Sequence, residues 1–317
     1  MTRSYLFLIG TLTAVLSADT ATAQECVGWD NASRTGQLDH DAVDESSGLA
    51  ASRRHDGLLW THNDSGDSPR LFLMETDGTH VAQISLEGAA KARDWEDMAI
   101  GPCEPDSNAE EASKESCVYV GDFGDNRKNR EHVVIYRFPE PALPEARPAK
   151  VEIQQTDAIW FTYPGGARNA EALMVHPKTA ELYVVEKSSA AASKVYEVPN
   201  QPAAADKAHQ ASQVGELEFE SMGGFGKMIT AGDIAPDGSE FTVRTYLGIY
   251  TYCVGDDEDF EAALSTKPTA GRPPFMIQSE AMAYGADGRS VWMTSEGQPS
   301  PLYRLERADK DTEPDSD

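Results

Sequence analysis

Short apolar runs alternate with polar, Gly- and Asp-rich turns along the whole chain after residue 45, and none has a sustained helical period. Five runs open with one grammar: Ser46-Ser47-Gly48-Leu49-Ala50, Glu96-Asp97-Met98-Ala99-Ile100, Ala170-Glu171-Ala172-Leu173-Met174, Ala231-Gly232-Asp233-Ile234-Ala235 and Ser279-Glu280-Ala281-Met282-Ala283. A turn follows, such as Pro236-Asp237-Gly238-Ser239 or Ala286-Asp287-Gly288-Arg289, whose residues suit hairpins. Next comes a β-branched or aromatic run, as in Val118-Tyr119-Val120 and Val291-Trp292-Met293, the composition of strands. Third runs place an aromatic at a constant point, Phe72, Tyr136, Tyr196, Tyr250 and Tyr303, at intervals of 64, 60, 54 and 53 residues.

This series predicts an all-β fold, a single-domain β-propeller of five blades, with six as the alternative. The aromatics read as packing between blades. Fourth strands are expected at His80–Leu86, Val151–Phe161, Leu217–Ser221 and Phe260–Leu264. The fifth unit lacks one, and Glu25–Asp30 is the expected donor, so that an N-terminal strand closes the ring and removes its open edges. Pro141–Lys150 reads as a linker and Gln201–Gln213 as a short surface helix.

Composition adds compartment and charge. Residues 1–23 read as a signal peptide, with Arg3, the apolar stretch Tyr5–Leu16 and an Ala21-Thr22-Ala23 cleavage site. That stretch is too short to span a membrane. Residues 24–308 form the expected propeller, and 309–317 an acidic tail without order. A periplasmic or extracellular monomer without membrane insertion is expected. The formal charge of −26 repels nucleic acid and anionic surfaces and favours cations. Four cysteines in an exported chain predict two disulfides in one of three pairings. Joining Cys103 to Cys117 staples a polar loop, which leaves Cys26 for Cys253.

The candidate chemistry follows from topology. Neighbouring strands of a blade run antiparallel, so the start of the first and the end of the second share one edge. That edge collects Glu45, Glu96, Asp97, Glu171, Asp233 and Glu280 from first strands. Second-strand ends add His62, Asn63, Asp64, Asp122, Asp125, Glu186, Arg244 and Glu296. Crowded carboxylates need a cation or shared protons. The expected metal ligands are Glu45, Asp64, Asp97, Glu171, Asp233 and Glu280. Glu96 and Asp122 are the candidate water-activating groups, and His62, Asn63, Asp125, Glu186, Arg244 and Glu296 the candidate substrate contacts. An oxygen-only set suits calcium, with another divalent ion as the alternative; a single nearby histidine weakens zinc. Singly, each Asp-Gly or Asn-Asp phrase is ordinary turn chemistry. Repetition at equivalent positions is what points to a pocket. No G-x-S-x-G, Ser-Lys or Cys-His signature is present.

Glu45-Ser46-Ser47-Gly48-Leu49-Ala50, Asn63-Asp64-Ser65-Gly66-Asp67, Asp94-Trp95-Glu96-Asp97 and Gly121-Asp122-Phe123-Gly124-Asp125-Asn126 together resemble the phrases of a group of exported bacterial β-propellers. The blade starts are more remotely similar to the SdiA-regulated and esterase-like phytase propellers. The resemblance implies a propeller with calcium in or near its channel and supplies no reaction. Three functions compete: a metal-dependent hydrolase of an ester, lactone or phosphoester; a calcium-stabilised module that binds a small molecule or envelope component; and a glycosidase, for which Trp60, Trp95, Phe123 and Tyr246 are the available sugar platforms.

Overall fold

The structure is a computed structural model that describes residues 26–87, 92–104, 115–221, 223–255 and 259–308. The expected signal peptide and acidic tail lie outside them. Strand β1 (Ser33–Gln37) precedes the first blade, β2 (Ser46–Ala51), β3 (Leu58–Asn63), β4 (Arg70–Glu75) and β5 (His80–Leu86). The second begins with β6 (Trp95–Pro102), β7 (Ser116–Asp122) and β8 (Val133–Pro139). Then come β9 (Ala149–Ile153) and β10 (Asp157–Thr162), and the third blade opens with β11 (Ala170–Val175), β12 (Leu182–Glu186) and β13 (Ala192–Val198). β14 (His209–Gln210) and β15 (Ser212–Glu218) follow. The fourth blade is β16 (Ile229–Ile234), β17 (Glu240–Thr245), β18 (Ile249–Cys253) and β19 (Thr269–Gly271); β20 (Ala281–Tyr284), β21 (Ser290–Thr294) and β22 (Pro301–Glu306) belong to the fifth.

Five separate sheets result, with innermost strands β2, β6, β11, β16 and β20. The fold is therefore a five-bladed β-propeller. β1 pairs antiparallel with β22 and completes the fifth blade. Closure by an N-terminal strand stands, but the donor differs from the expected Glu25–Asp30. That segment makes only an isolated bridge, Trp29 to Arg307. The reason is tethering. Cys26 is bonded to Cys253, and the Trp29 indole donates to Thr251 Oγ1 at 2.9 Å, so the pairing stretch begins further on.

Three outer segments also differ. The expected Val151–Phe161 strand is two: β9 leaves the second blade and pairs parallel with β5 of the first, while β10 is the second blade's own fourth strand. Phe260–Leu264 contains a helix, α1 (Phe260–Ala263), with the Asp259 side chain capping Ala262 N–H. Its buried Phe260, Ala263 and Leu264 have i, i+3, i+4 spacing, and Phe260 stacks on Tyr183 at 4.2 Å. The fourth strand there is β19. Gln201–Gln213 holds a 3₁₀ turn at Ala205–Lys207 and then β14, parallel to β10, rather than a surface helix.

The core lies between blades. One apolar cluster joins Trp60 and Leu73 of the first blade to Trp95 and Tyr136 of the second. Others join the second to the third around Tyr196, the third to the fourth around Tyr250, and the fourth to the fifth beside Tyr303. Leu49, Ala283 and Trp292 close the ring. Four of the repeat aromatics thus pack between blades, while Phe72 packs with Leu38 and Val43 of the incoming chain. Cys103 is bonded to Cys117, and two disulfides mark an oxidising compartment.

Candidate functional site

Four of the five innermost pairings shift register at the same end: between Ser46 and Gly48, Trp95 and Met98, Ala170 and Ala172, and Ile229 and Ala231. A bulge there re-aims a side chain. The residues it aims are Ser47, Glu96, Glu171 and Thr230, and Glu280 precedes β20 at the matching level. The fourth unit is thus offset from its phrase in the sequence. Ile229 pairs with Thr245 as Ala170 pairs with Glu186, so Thr230, not Gly232, stands in the place of Glu171. The fourth sector of the mouth carries a hydroxyl.

That offset corrects Asp233, which sits further down its strand than the expected metal ligands. Asp233 accepts Ile234 N–H at 2.9 Å and, across the blade boundary, Tyr284 N–H at 2.8 Å. Asp97 is likewise a fastener. One oxygen accepts Met98 N–H, and the other accepts Leu173 N–H at 2.9 Å and Gly232 N–H at 3.2 Å, joining three blades. With their oxygens committed to backbone donors, neither carboxylate faces the mouth cluster as a ligand.

Several other expected site residues hold loops. Asp122 forms an ion pair with Arg130 at 2.7 Å and accepts Arg93 and Asp94 N–H; both its oxygens are engaged in holding the loop, which disfavours it as a general base. Asp125 accepts Arg130 N–H at 2.6 Å. Asn63 accepts Asp44 and Glu45 N–H and donates to Ala42 O and Asp67. Arg244 is fully buried and donates to Ala281 O and Ser279 Oγ of the fifth blade. Glu186 faces Lys128 at 3.3 Å. His62 is enclosed against Trp95, ring centroids 5.5 Å apart, and burial lowers its pKa to about 4, so its imidazole is neutral.

The groups that do converge fall into two halves. In one, Asp64, Asp94 and Glu96 each present an oxygen, all within 4.8 Å of one another. Glu96 is only 3% exposed. Burial, then Glu171, Asp64 and Asp94, push its carboxyl well above the ordinary range. Burial followed by Asp94 and Glu280 lifts Asp64 to about 7. Asp64 Oδ1 is buried without a hydrogen-bond donor, and none of the three is ion-paired among the described residues. Gly124 makes the convergence sterically feasible: a Cβ there would lie 1.9 Å from Glu96 Oε1 and 2.7 Å from the Asp94 carboxyl carbon.

In the other half, Lys187 pairs with Glu171 and lies 3.6 Å from Glu280. It also donates to the Tyr246 hydroxyl at 2.8 Å, and Tyr246 donates to Glu280. Burial opposes the Lys187 charge, yet Glu171 and Glu280 together hold its pKa above the ordinary value. Glu296 lies against Glu280 and Gln278. Burial and the hydrogen bond that its protonated carboxyl donates to Glu280 raise Glu296 to about 9. Asn169 steadies Glu171 with an amide 3.3 Å from Oε1. Glu45 is exposed on the rim, and its carboxylate acts on Asp64 through charge. Sequence reasoning missed Asp94, which stood inside a quoted motif, and Asn169, which carried no signal at all.

The fold and mouth define a class: a five-bladed propeller with an acidic channel mouth. No family model and no curated protein sequence matches the chain. Among solved structures it is similar to a gluconolactonase from Xanthomonas campestris, at 10% identity over 91% of this chain and 99% of that one, with a TM-score of 0.45. It is also similar to the RRP9 WD40 repeats, at 8% identity over 82% and 79%, with a TM-score of 0.42. Neither likeness assigns a role to any residue.

Proposed function

We propose that this chain is an exported, divalent-cation-dependent hydrolase of a neutral ester or lactone, with calcium as the preferred ion. The observation that carries this reading is the Asp64–Asp94–Glu96 cluster, three carboxylates gathered within 4.8 Å, with Asp64 Oδ1 buried and without a donor. Without a cation, that much like charge in a half-buried site is costly. An oxygen-only set fits a hard cation. Asp64, Asp94 and Glu96 would hold it, and a bound cation supplies Lewis-acid polarisation of the scissile carbonyl.

The facing half of the mouth supplies the proton chemistry. Burial, opposed by Lys187 and reinforced by Glu280, raises Glu171 to about 8, and Glu296 stands at about 9. At neutral pH Glu296 holds a proton, and a positioned carboxyl acid can protonate a departing alkoxide. Lys187 and Tyr246 fix the orientation of Glu171 and Glu280 through their mutual hydrogen bonds. An acid-lined mouth favours a neutral substrate over an anionic phosphoester. The glycosidase alternative loses its platforms, since Trp60, Trp95 and Phe123 are buried core and Tyr246 alone remains at the mouth. The likeness of the motifs to exported calcium-associated propellers is consistent with this proposal.

Calorimetric titration of chelated protein with calcium, magnesium and manganese, followed by a chromogenic ester and lactone panel, tests it. Binding should be lost in Asp64→Asn and Glu96→Gln, and turnover should vanish with chelator. Absence of binding by every ion would sink the proposal. Calcium binding with no turnover on the whole panel would leave a cation-stabilised binding module in its place.

A further inference from the structure

Exposed large apolar side chains on the described surface are four: Phe225, 66% exposed; Leu247, 44%; Phe275, 81%; and Ile277, 75%. They come from three segments of the fourth and fifth units: Phe225 and Leu247 lie beside Tyr246, and Phe275 and Ile277 lie in the stretch that leads into Glu280. Phe225 packs edge-on to Tyr246, ring centroids 5.8 Å apart. A Cβ on Gly226 would lie 3.5 Å from Leu247 Cδ1, so Leu247 borders the same turn. Phe275 and Ile277 flank buried Met276 just before Ser279 and Glu280. That segment is held to the fourth blade by Arg244–Ser279 at 2.6 Å and by Tyr246–Glu280.

Tyr246 is the joint between the two surfaces. Its hydroxyl belongs to the Lys187–Glu280 network, while its ring meets Phe225. An apolar ledge therefore flanks the Tyr246–Glu280 side of the polar mouth, on the fourth and fifth blades. Single exposed apolar residues need no explanation, but a group of them continuous with a polar cavity marks a binding surface.

Resting on the hydrolase reading and narrowing it, we propose that the substrate is an amphiphile: a neutral ester or lactone head with an aliphatic chain that lies on Phe225, Leu247, Phe275 and Ile277. Charge selects this occupant. A net charge of −26 opposes an anionic lipid surface, whereas a neutral head reaching the mouth puts its chain on the ledge. The ledge thus sets chain-length preference, and the polar mouth does not.

The test separates chain binding from hydrolysis. Hydrolysis-resistant γ-alkyl lactams with chains of increasing length are titrated into the full protein in calcium-containing buffer. The matching lactones are then assayed for kcat/KM. Lactam affinity should rise about twofold per methylene, the value for a chain half removed from water. A Phe275→Ser/Ile277→Ser variant with unchanged Tm should lose most of that slope. Chain-dependent lactam binding without any lactone turnover upholds the ledge and fells the hydrolase reading. Chain-independent lactam binding, or an unchanged slope in the variant, overturns the ledge even if lactones are hydrolysed. Co-sedimentation with neutral phosphatidylcholine vesicles, or a wild-type dimer that the variant dissociates, would also overturn it, because the ledge would then belong to a lipid surface or a second copy.

Discussion

At the residue scale, the mouth works because one missing side chain and a few shared protons let carboxylates crowd together. Gly124 has an unremarkable backbone, so its value is space beside Asp94 and Glu96. Gly124→Ala should weaken calcium affinity by about tenfold or more, about 1.4 kcal/mol, with the Tm of the chelated protein almost unchanged; calorimetry and a melting curve check both. The protonated side of the mouth predicts a pH profile. Glu296 at about 9 lies above the ordinary 4.5, so the folded state keeps a proton that the unfolded chain releases. Its contribution is complete below the unfolded value and is lost as the pH climbs through the folded one. Chelated protein should lose Tm between about pH 5 and pH 9, and Glu296→Gln should flatten that loss by about 2 °C. A flat wild-type profile would contradict the assignment. The convergence of Glu96, Glu171 and Glu280 at one edge was legible because a repeat put them in register. Asp97, Asp122 and Asp233 belong to the same acidic grammar, but which hydrogen-bond donors surround a carboxylate is decided by neighbouring blades.

At the element scale, blades are joined by apolar clusters and by carboxylates that accept backbone N–H groups across the boundary. Asp97 shows the second device most plainly, with Leu173 and Gly232 N–H both on Oδ2. Asp97→Ala leaves buried donors unpaired and should cost about 3 kcal/mol, seen in denaturant melts, while calcium affinity of the folded fraction is retained. Loss of calcium binding with unchanged stability would instead restore Asp97 as a ligand. The ring's closure has a covalent tie as well. Cys26 and Cys253 are 227 residues apart in sequence, and replacing both by Ser should lower stability by about 4 kcal/mol through the freed unfolded chain. Strand identities were legible wherever alternation was strong. They failed at the outer edge, where Phe260 to Leu264 satisfies a helical stripe as well as an apolar strand. The fourth unit's offset was invisible for a similar reason: Ala231-Gly232-Asp233 imitates the phrase, and only the bulge at Thr230 reveals the register.

At the scale of the whole molecule, the propeller gathers residues from five sheets around one opening, and a cation bound there would couple to global stability. Calcium at a hundred times its Kd should add about 2.7 kcal/mol, raising Tm by about 5 °C; chelator should remove the gain, and Glu96→Gln should abolish it. Indifference of the wild-type melt to calcium and chelator would leave the carboxylate trio without its proposed ion. The five-blade count, the N-terminal closure and the collection of acids at one edge were determined by the sequence alone, because strand period, repeat spacing and antiparallel pairing are local or nearly local rules. The division of those acids into an open trio, a proton-sharing group and a set of buried fasteners was decided only by the tertiary structure. Burial, ion pairing and hydrogen-bond supply depend on what the adjacent blade presents, and blades that touch at the mouth stand far apart along the chain.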